Sequence, residues 1–270
     1  MPELPEVETT KRGVEPYVKN ETIKKILVRN NKLRIPFNKN LAKKIINVDI
    51  KEIKRRAKYI IFEFVNGYSV VIHLGMTGNL RVSKKIKYLK HDHIVFYLSS
   101  GNVLIYNDVR RFGLIQIYKT KESYFLLDNN GPDPFEKEAN ADYLFSRIKN
   151  STASIKTILL NHKIISGIGN IYASEILFAT NISPTRIGKK ISYDECKNIL
   201  KESKKILRKA IKAGVTTLND YFNAASKPGY FKIQLKVYGR DGEKCKSCKS
   251  NISKITQSNR STYYCKESQN

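Results

Sequence analysis

Ile60-Ile61-Phe62-Glu63-Phe64-Val65-Asn66-Gly67-Tyr68-Ser69-Val70-Val71-Ile72-His73-Leu74 reads as two apolar strands joined by an Asn-Gly turn. Asn and Gly tolerate the positive φ that a tight turn in a twisted hairpin requires. A second pair, Ile94-Val95-Phe96-Tyr97-Leu98 and Val103-Leu104-Ile105-Tyr106, flanks a turn at Ser99 to Asn102. Strand-like patterning runs from Thr22 to about Tyr118. Many short strands with turns between them predict a sandwich of two sheets. The stretch Asp128-Asn129-Asn130-Gly131-Pro132-Asp133-Pro134 is rich in turn formers and marks a domain junction.

Past that junction the pattern turns helical. Ser192-Tyr193-Asp194-Glu195 is a capping box. Cys196, Ile199, Leu200, Ile206, Leu207, Ala210 and Ile211 follow on one helical face, and Gly214 is expected to close the element. Cys196 lies in that stripe and reads as a core residue. Two shorter helices, about 154–163 and 171–180, are joined by Ile165-Ser166-Gly167-Ile168-Gly169-Asn170. Glycines just before a helix leave backbone N–H groups open to a phosphate, although a plain tight turn explains them equally well. A dinucleotide fingerprint would need a preceding strand and a third glycine where Tyr172 stands, so that reading is discarded.

With 270 residues the chain can build two domains with their own cores. Lysine and arginine number 50 against 24 acids, a net +26 spread along the sequence, which points to a polyanionic partner, nucleic acid above all. No apolar run approaches the ~20 residues of a membrane span, and the acidic N-terminus does not resemble a signal peptide. Four cysteines, three of them clustered at metal-like spacing, fit a reducing cytoplasm better than a disulfide framework.

Ahead of the first strand stands Met1-Pro2-Glu3-Leu4-Pro5-Glu6. Pro2 is small enough that removal of Met1 is expected, leaving a secondary amine at the terminus. Terminal amines titrate near pH ~8, against ~10.4 for lysine, so far more of such an amine is nucleophilic at neutral pH. Glu3 beside it is a candidate proton donor. Pro5, Glu6 and Glu8 read as a helix start, with acids at the positive end of the dipole. Taken alone these residues fit an ordinary acidic N-terminus. The motifs that accompany them decide otherwise.

Pro2-Glu3-Leu4-Pro5-Glu6-Val7-Glu8 resembles the opening of the formamidopyrimidine-DNA glycosylases, bacterial enzymes that excise oxidised purines. The resemblance continues through Arg55-Arg56-Ala57-Lys58-Tyr59, His73-Leu74-Gly75-Met76-Thr77-Gly78, Arg110-Arg111-Phe112-Gly113, Gly167-Ile168-Gly169-Asn170-Ile171-Tyr172-Ala173-Ser174-Glu175 and Lys227-Pro228-Gly229-Tyr230. It ends in a cysteine-rich tail and so covers almost the whole chain. Leu4 favours this branch over the related endonuclease VIII enzymes, which usually carry glycine there.

The resemblance implies roles residue by residue. Pro2 is the nucleophile, Glu3 its acid, and Lys58 a cation of the active site. Met76 and Phe112 are wedges that fill the hole left by an extruded nucleotide, and Arg110 faces the orphaned base; taken singly, Met76 and Phe112 would pass for core residues. His91, Lys156 and Asn170 contact DNA, the last two through phosphates beside the lesion, in a helix–two-turn–helix element. Val215 to Gly229 resembles the loop that closes over the extruded purine. Arg260, just after the expected hairpin turn Ser258-Asn259, makes a phosphate contact and assists the final elimination.

In the tail, Cys245-Lys246-Ser247-Cys248 is followed sixteen residues later by Cys265-Lys266-Glu267-Ser268. Family members that bind zinc here use four cysteines, and Ser268 stands where the fourth would be. Structural zinc on Cys245, Cys248 and Cys265 is expected, with water, Glu267 or another group completing it. The expected fold is α+β: an N-terminal β-sandwich catalytic domain with a leading helix (1–131), a helix–two-turn–helix domain (132–225), and the end of the lesion loop with a zinc-finger-type hairpin (226–270). The expected function is base excision of 8-oxoguanine and formamidopyrimidines from double-stranded DNA by a cytoplasmic, nucleoid-associated monomer, with β,δ-elimination at the resulting site. An endonuclease VIII-like preference for oxidised pyrimidines and a non-catalytic damaged-DNA-binding protein are the alternatives.

Overall fold

The computed structural model describes residues 2–119, 125–223 and 235–270. Met1, the Lys227–Tyr230 motif and positions 224–229 of the expected lesion loop lie outside the described residues. The chain divides into two compact units, one holding residues up to Asp128 together with residues 211–223, the other holding Asn129–Ala210 and the residues from 235 onward.

In the first unit a helix, α1 (Leu4–Val18), precedes strand β1 (Ile23–Val28) and the short helix α2 (Lys39–Ala42). Strands β2 (Ile50–Arg56), β3 (Tyr59–Phe64), β4 (Tyr68–His73), β5 (Gly78–Ser83), β6 (Asp92–Leu98), β7 (Val103–Asp108) and β8 (Leu114–Lys119) follow, then the one-turn helix α3 (Phe125–Asp128). They form two antiparallel four-stranded sheets, β2-β3-β4-β8 and β1-β6-β7-β5, which is the expected sandwich. The opening hairpin pairs Ile61 with Val71 and Phe62 with Val70, and Gly67 takes φ +78° in its turn. Alternation along these strands sends Ile60, Phe62, Val70, Ile72, Ile94, Phe96, Leu104, Tyr106 and Ile115 into one buried core. α1 adds Val7, Val14 and Val18 to it and packs against β2, β3 and β5.

The second unit carries α4 (Ala141–Ile148), α5 (Ile155–Leu160), α6 (Asn170–Ala179) and the first part of α7 (Tyr193–Asn223), then the hairpin β9 (Ser253–Gln257) and β10 (Arg260–Tyr264). The capping box at Ser192 forms as read: Glu195 N donates to Ser192 Oγ at 3.2 Å, and Ser192 N donates to Glu195 Oε2 at 2.8 Å. Cys196 is buried, and burial pushes its thiol up to about 11, as expected of a core position. Gly214 does not end the helix, which continues to Asn223. A single interior glycine costs only about 1 kcal/mol relative to alanine, too little to stop a helix this long. No helix among the described residues is long and apolar enough to cross a membrane.

Candidate active site and nucleic-acid interface

Glu3 sits at the N-cap of α1, only 2% exposed, directly after half-buried Pro2. Glu6 reaches back one turn and accepts from Glu3 N at 2.8 Å, fixing the backbone that carries both residues. Farther along α1, Glu8 Oε2 accepts from Arg55 Nε at 2.9 Å, and Arg55 Nη1 donates to Ala57 O at 2.9 Å. Arg12 also donates to Glu8, at 2.8 Å. Burial works to raise the Glu8 carboxyl, but the hydrogen bonds and charge of Arg12 and Arg55 outweigh it and hold the group below its usual value.

Ala57 and Lys58 form the two-residue turn between β2 and β3, with Arg56 paired to Tyr59. Ala57 takes φ +52°, a left-handed conformation that disfavours any residue with a Cβ. The bond from Arg55 to its carbonyl holds it there. α1, which opens beside Pro2 and Glu3, and the turn bearing Lys58 are therefore tied through one ion pair. His73 lies close enough to feel Lys58. Burial first, then the charges of Lys58 and Arg34, depress its pKa to about 4, so its ring is neutral at physiological pH. Its Nδ1 accepts from Gly75 N at 3.0 Å.

Met76 and Phe112 are not core residues. They are 37% and 47% exposed, on the two loops that cross from one sheet to the other, β4 to β5 and β7 to β8. The Arg110 guanidinium lies 4.6 Å from the centre of the Phe112 ring. His91 immediately precedes β6, and its carbonyl accepts from Asp108 N at 3.1 Å. His93, two residues farther on within β6, is buried, with Nε2 2.7 Å from Asp108 O.

In the second unit three expected DNA-contacting residues converge on the hairpin. Ser258 and Asn259 both have positive φ, 47° and 58°, and form the tight turn ahead of Arg260. Lys156 is 1% exposed, and its Nζ donates to Ser261 O at 2.9 Å and Thr262 Oγ1 at 2.6 Å. Asn170 Nδ2 donates to the same Ser261 carbonyl at 2.9 Å. Burial of the Lys156 ammonium against the hairpin was not foreseen from sequence. Gly167 takes φ +90° in the turn between α5 and α6, which only glycine adopts readily.

Sequence reasoning also passed over Glu175. This buried carboxylate accepts from Lys236 N at 2.8 Å and from Val237 N and Tyr238 N at 2.9 Å, anchoring the segment that leads into the hairpin. A lone acid in the otherwise apolar stretch from Ile171 to Ala179 was the available signal.

The Sγ atoms of Cys245, Cys248 and Cys265 lie within 4.8 Å of one another. Thiolates on a tetrahedral zinc sit about 3.8 Å apart, given Zn–S near 2.3 Å, so the trio fits such an ion. Ser268 Oγ lies 3.8 Å from Cys245 Sγ. Ser250 Oγ, unforeseen from sequence, lies 2.9 Å from Cys248 Sγ and 3.0 Å from Cys265 Sγ. Hydrogen bonds from Ser250 and then Ser268 pull the Cys248 thiol down to about 6, toward the thiolate that binds metal.

Two family models match the chain, the formamidopyrimidine-DNA glycosylase N-terminal domain over residues 1–115 and the formamidopyrimidine-DNA glycosylase H2TH domain over residues 130–221. The formamidopyrimidine-DNA glycosylase of Rickettsia conorii is 44% identical over all of this chain and 99% of its own. The chain belongs to the formamidopyrimidine-DNA glycosylase family. It is a DNA glycosylase of base excision repair, and AP lyase activity is a property of that family. The glycosylase also superposes on the Lactococcus lactis formamidopyrimidine DNA glycosylase bound non-covalently to AP-site DNA, with a TM-score of 0.87, 31% identity and 99% coverage of both chains. A second Lactococcus lactis structure, of the wild-type enzyme with N7-benzyl-Fapy-dG-containing DNA, gives a TM-score of 0.89 at 32% identity and the same coverage. Each of these matches runs over 99% or more of this chain and 99% of the relative.

Proposed function

We propose that the enzyme excises oxidised purines, 8-oxoguanine and formamidopyrimidines, from double-stranded DNA and then cuts the strand on both sides of the emptied sugar. Pro2, freed of Met1, supplies the amine. Its nitrogen attacks C1′ of the extruded nucleotide, the glycosidic bond breaks, and the base leaves with the bonding pair and a proton. Glu3 protonates the ring oxygen, and the opened sugar is held as an iminium on Pro2. The iminium acidifies the C2′ proton, whose loss expels the 3′ phosphate. A second elimination expels the 5′ phosphate, and water then hydrolyses the C1′–N iminium, releasing the unsaturated aldehyde remnant and the free amine of Pro2. Lys58 and Arg260 stabilise the departing phosphates.

Met76 and Phe112 fill the space vacated by the nucleotide, and Arg110 hydrogen-bonds the base left opposite. Their exposure supports this reading, because large apolar side chains gain nothing from water unless a partner covers them. His91, Lys156 and Asn170 hold the flanking backbone. Cys245, Cys248 and Cys265 hold a structural zinc that fixes the hairpin around Arg260. The net charge of +26 supports a DNA partner, and the enzyme is read as a monomer of the cytoplasm associated with the nucleoid.

The observation that carries the proposal is the Glu8–Arg55–Ala57 connection, which ties the helix opening beside Pro2 and Glu3 to the turn bearing Lys58. The test is excision from duplexes carrying one 8-oxoguanine opposite cytosine or one thymine glycol, each with borohydride trapping. Turnover and trapping on the first duplex, with little on the second, are expected. The reverse preference would make the enzyme endonuclease VIII-like, and no turnover on either would make it a binding protein.

A further inference from the structure

Asp108, the last residue of β7, is fully buried, and nothing in the reaction outlined above uses it. Its carboxylate gathers four donors, three from two loops and one from β7 itself. Oδ1 accepts from Thr77 Oγ1 at 2.5 Å and from Arg110 N at 3.3 Å. Oδ2 accepts from Gly113 N at 2.9 Å and from Tyr106 OH at 3.2 Å. Thr77 Oγ1 in turn accepts from Arg110 N at 3.0 Å. Thr77 follows Met76, while Arg110 and Gly113 bracket Phe112.

Both loops leave one sheet for the other, so no strand partner serves their backbone groups, and a buried acceptor must do so. The loops also touch backbone to backbone. Gly75 has φ +63°, and a Cβ there would overlap Phe112 and Gly113; a Cβ on Gly113 would overlap the Tyr106 hydroxyl and His73 O. Arg111 takes φ +58° between the two residues that face outward. Exposed wedges stand above, and a single buried anion binds both of their loops below.

We propose that Asp108 is a positioning residue, acting with Thr77 to hold Met76, Arg110 and Phe112 in the one arrangement that enters the duplex. This rests on the wedge roles given under the proposed function. Inserting side chains between base pairs demands accuracy, and a displacement of about 1 Å can cost roughly a hundredfold in rate. Asp108 is fully buried, out of reach of a partner at the surface. Its effect passes through the loops.

The test uses the full chain with Thr77→Val, which keeps the carboxylate and removes its shortest partner, beside Asp108→Asn. Thr77→Ser serves as the conservative control. Three quantities are read: single-turnover excision of 8-oxoguanine opposite cytosine and opposite adenine, borohydride trapping on a single-stranded abasic oligonucleotide, and thermal unfolding. A single strand has no opposite base and no gap to fill. Expected for Thr77→Val is a loss of roughly ten- to hundredfold on the duplex and a narrowed cytosine preference, with single-strand trapping within about twofold. Thr77→Ser restores duplex excision. If single-strand trapping falls in step with duplex excision and unfolding, Asp108 is merely structural and the proposal is wrong. Duplex excision unaffected by Thr77→Val also overturns it. Met76→Ala and Phe112→Ala, run alongside, separate the two levels: if they leave duplex excision unchanged the wedge reading fails, and if they alone reduce it the bracing role fails.

Discussion

Glu8 and Arg55, 47 residues apart in the chain, meet at 2.9 Å in a largely buried ion pair. Arg55 spends its remaining reach on Ala57 O, so the pair locks a left-handed turn that the chain would otherwise relax. Replacing Arg55 by Ala leaves Glu8, among the described residues, with Arg12 as its one charged partner, and a loss of about 3 kcal/mol of stability is expected. Arg55→Lys keeps the charge but not the planar fork. It should retain most of the stability while slowing single-turnover excision about tenfold. Denaturant unfolding and rapid-quench kinetics check both, and equal excision rates for wild type and Arg55→Lys would contradict the bracing of Lys58.

Lys156 is expected to act twice, on the hairpin and on DNA. Lys156→Met removes two charge-assisted hydrogen bonds to the hairpin, each worth about 1.5–3 kcal/mol at most, and should loosen β9–β10 in hydrogen exchange. Affinity should fall by the same factor whatever base stands opposite the lesion, because backbone contacts carry no base information. A loss confined to one opposite base would count against it.

His73 offers a pH test. Its folded pKa, about 4, lies below its ordinary 6.5, so the unfolded chain binds the proton more readily. The neutral ring's contribution to stability is complete above pH 6.5. It is lost as pH falls from there toward about 4 and levels off below that. The chain has only four histidines, which makes their ring resonances easy to separate. NMR should show one that stays neutral to about pH 4; a His73 midpoint near 6.5 would contradict the burial and the Lys58 field.

The cysteine cluster should hold zinc less firmly than four thiolates would. Ser268→Cys is expected to slow zinc loss to a chelator by roughly tenfold or more, the scale on which single changes around a metal shift affinity. Metal release followed with a chromogenic chelator measures it, and equal release rates would show that Ser250 or Ser268 already closes the site.

What could be read in advance was local. Asn66-Gly67 announced its hairpin and Ser192–Glu195 its cap, because both signals lie within a few residues of what they specify. The core placement of Cys196 followed from helical spacing alone. The braces were not legible, since Thr77 and Asp108 are 31 residues apart and Lys156 and Thr262 are 106 apart, and only the finished fold brings them together. Asp108 did leave one trace, an acid at the end of an apolar strand, a position that disfavours aspartate unless it is satisfied. Gly214 misled because a helix-ending residue is only a weak signal inside a long helix.

Tandem mass spectrometry of the borohydride-trapped enzyme–DNA complex tests the central chemistry most directly. The account predicts a reduced deoxyribose remnant on the nitrogen of Pro2, in a chain from which Met1 has been removed. A remnant on Lys58, or trapped and fully active protein that still carries Met1, would contradict it.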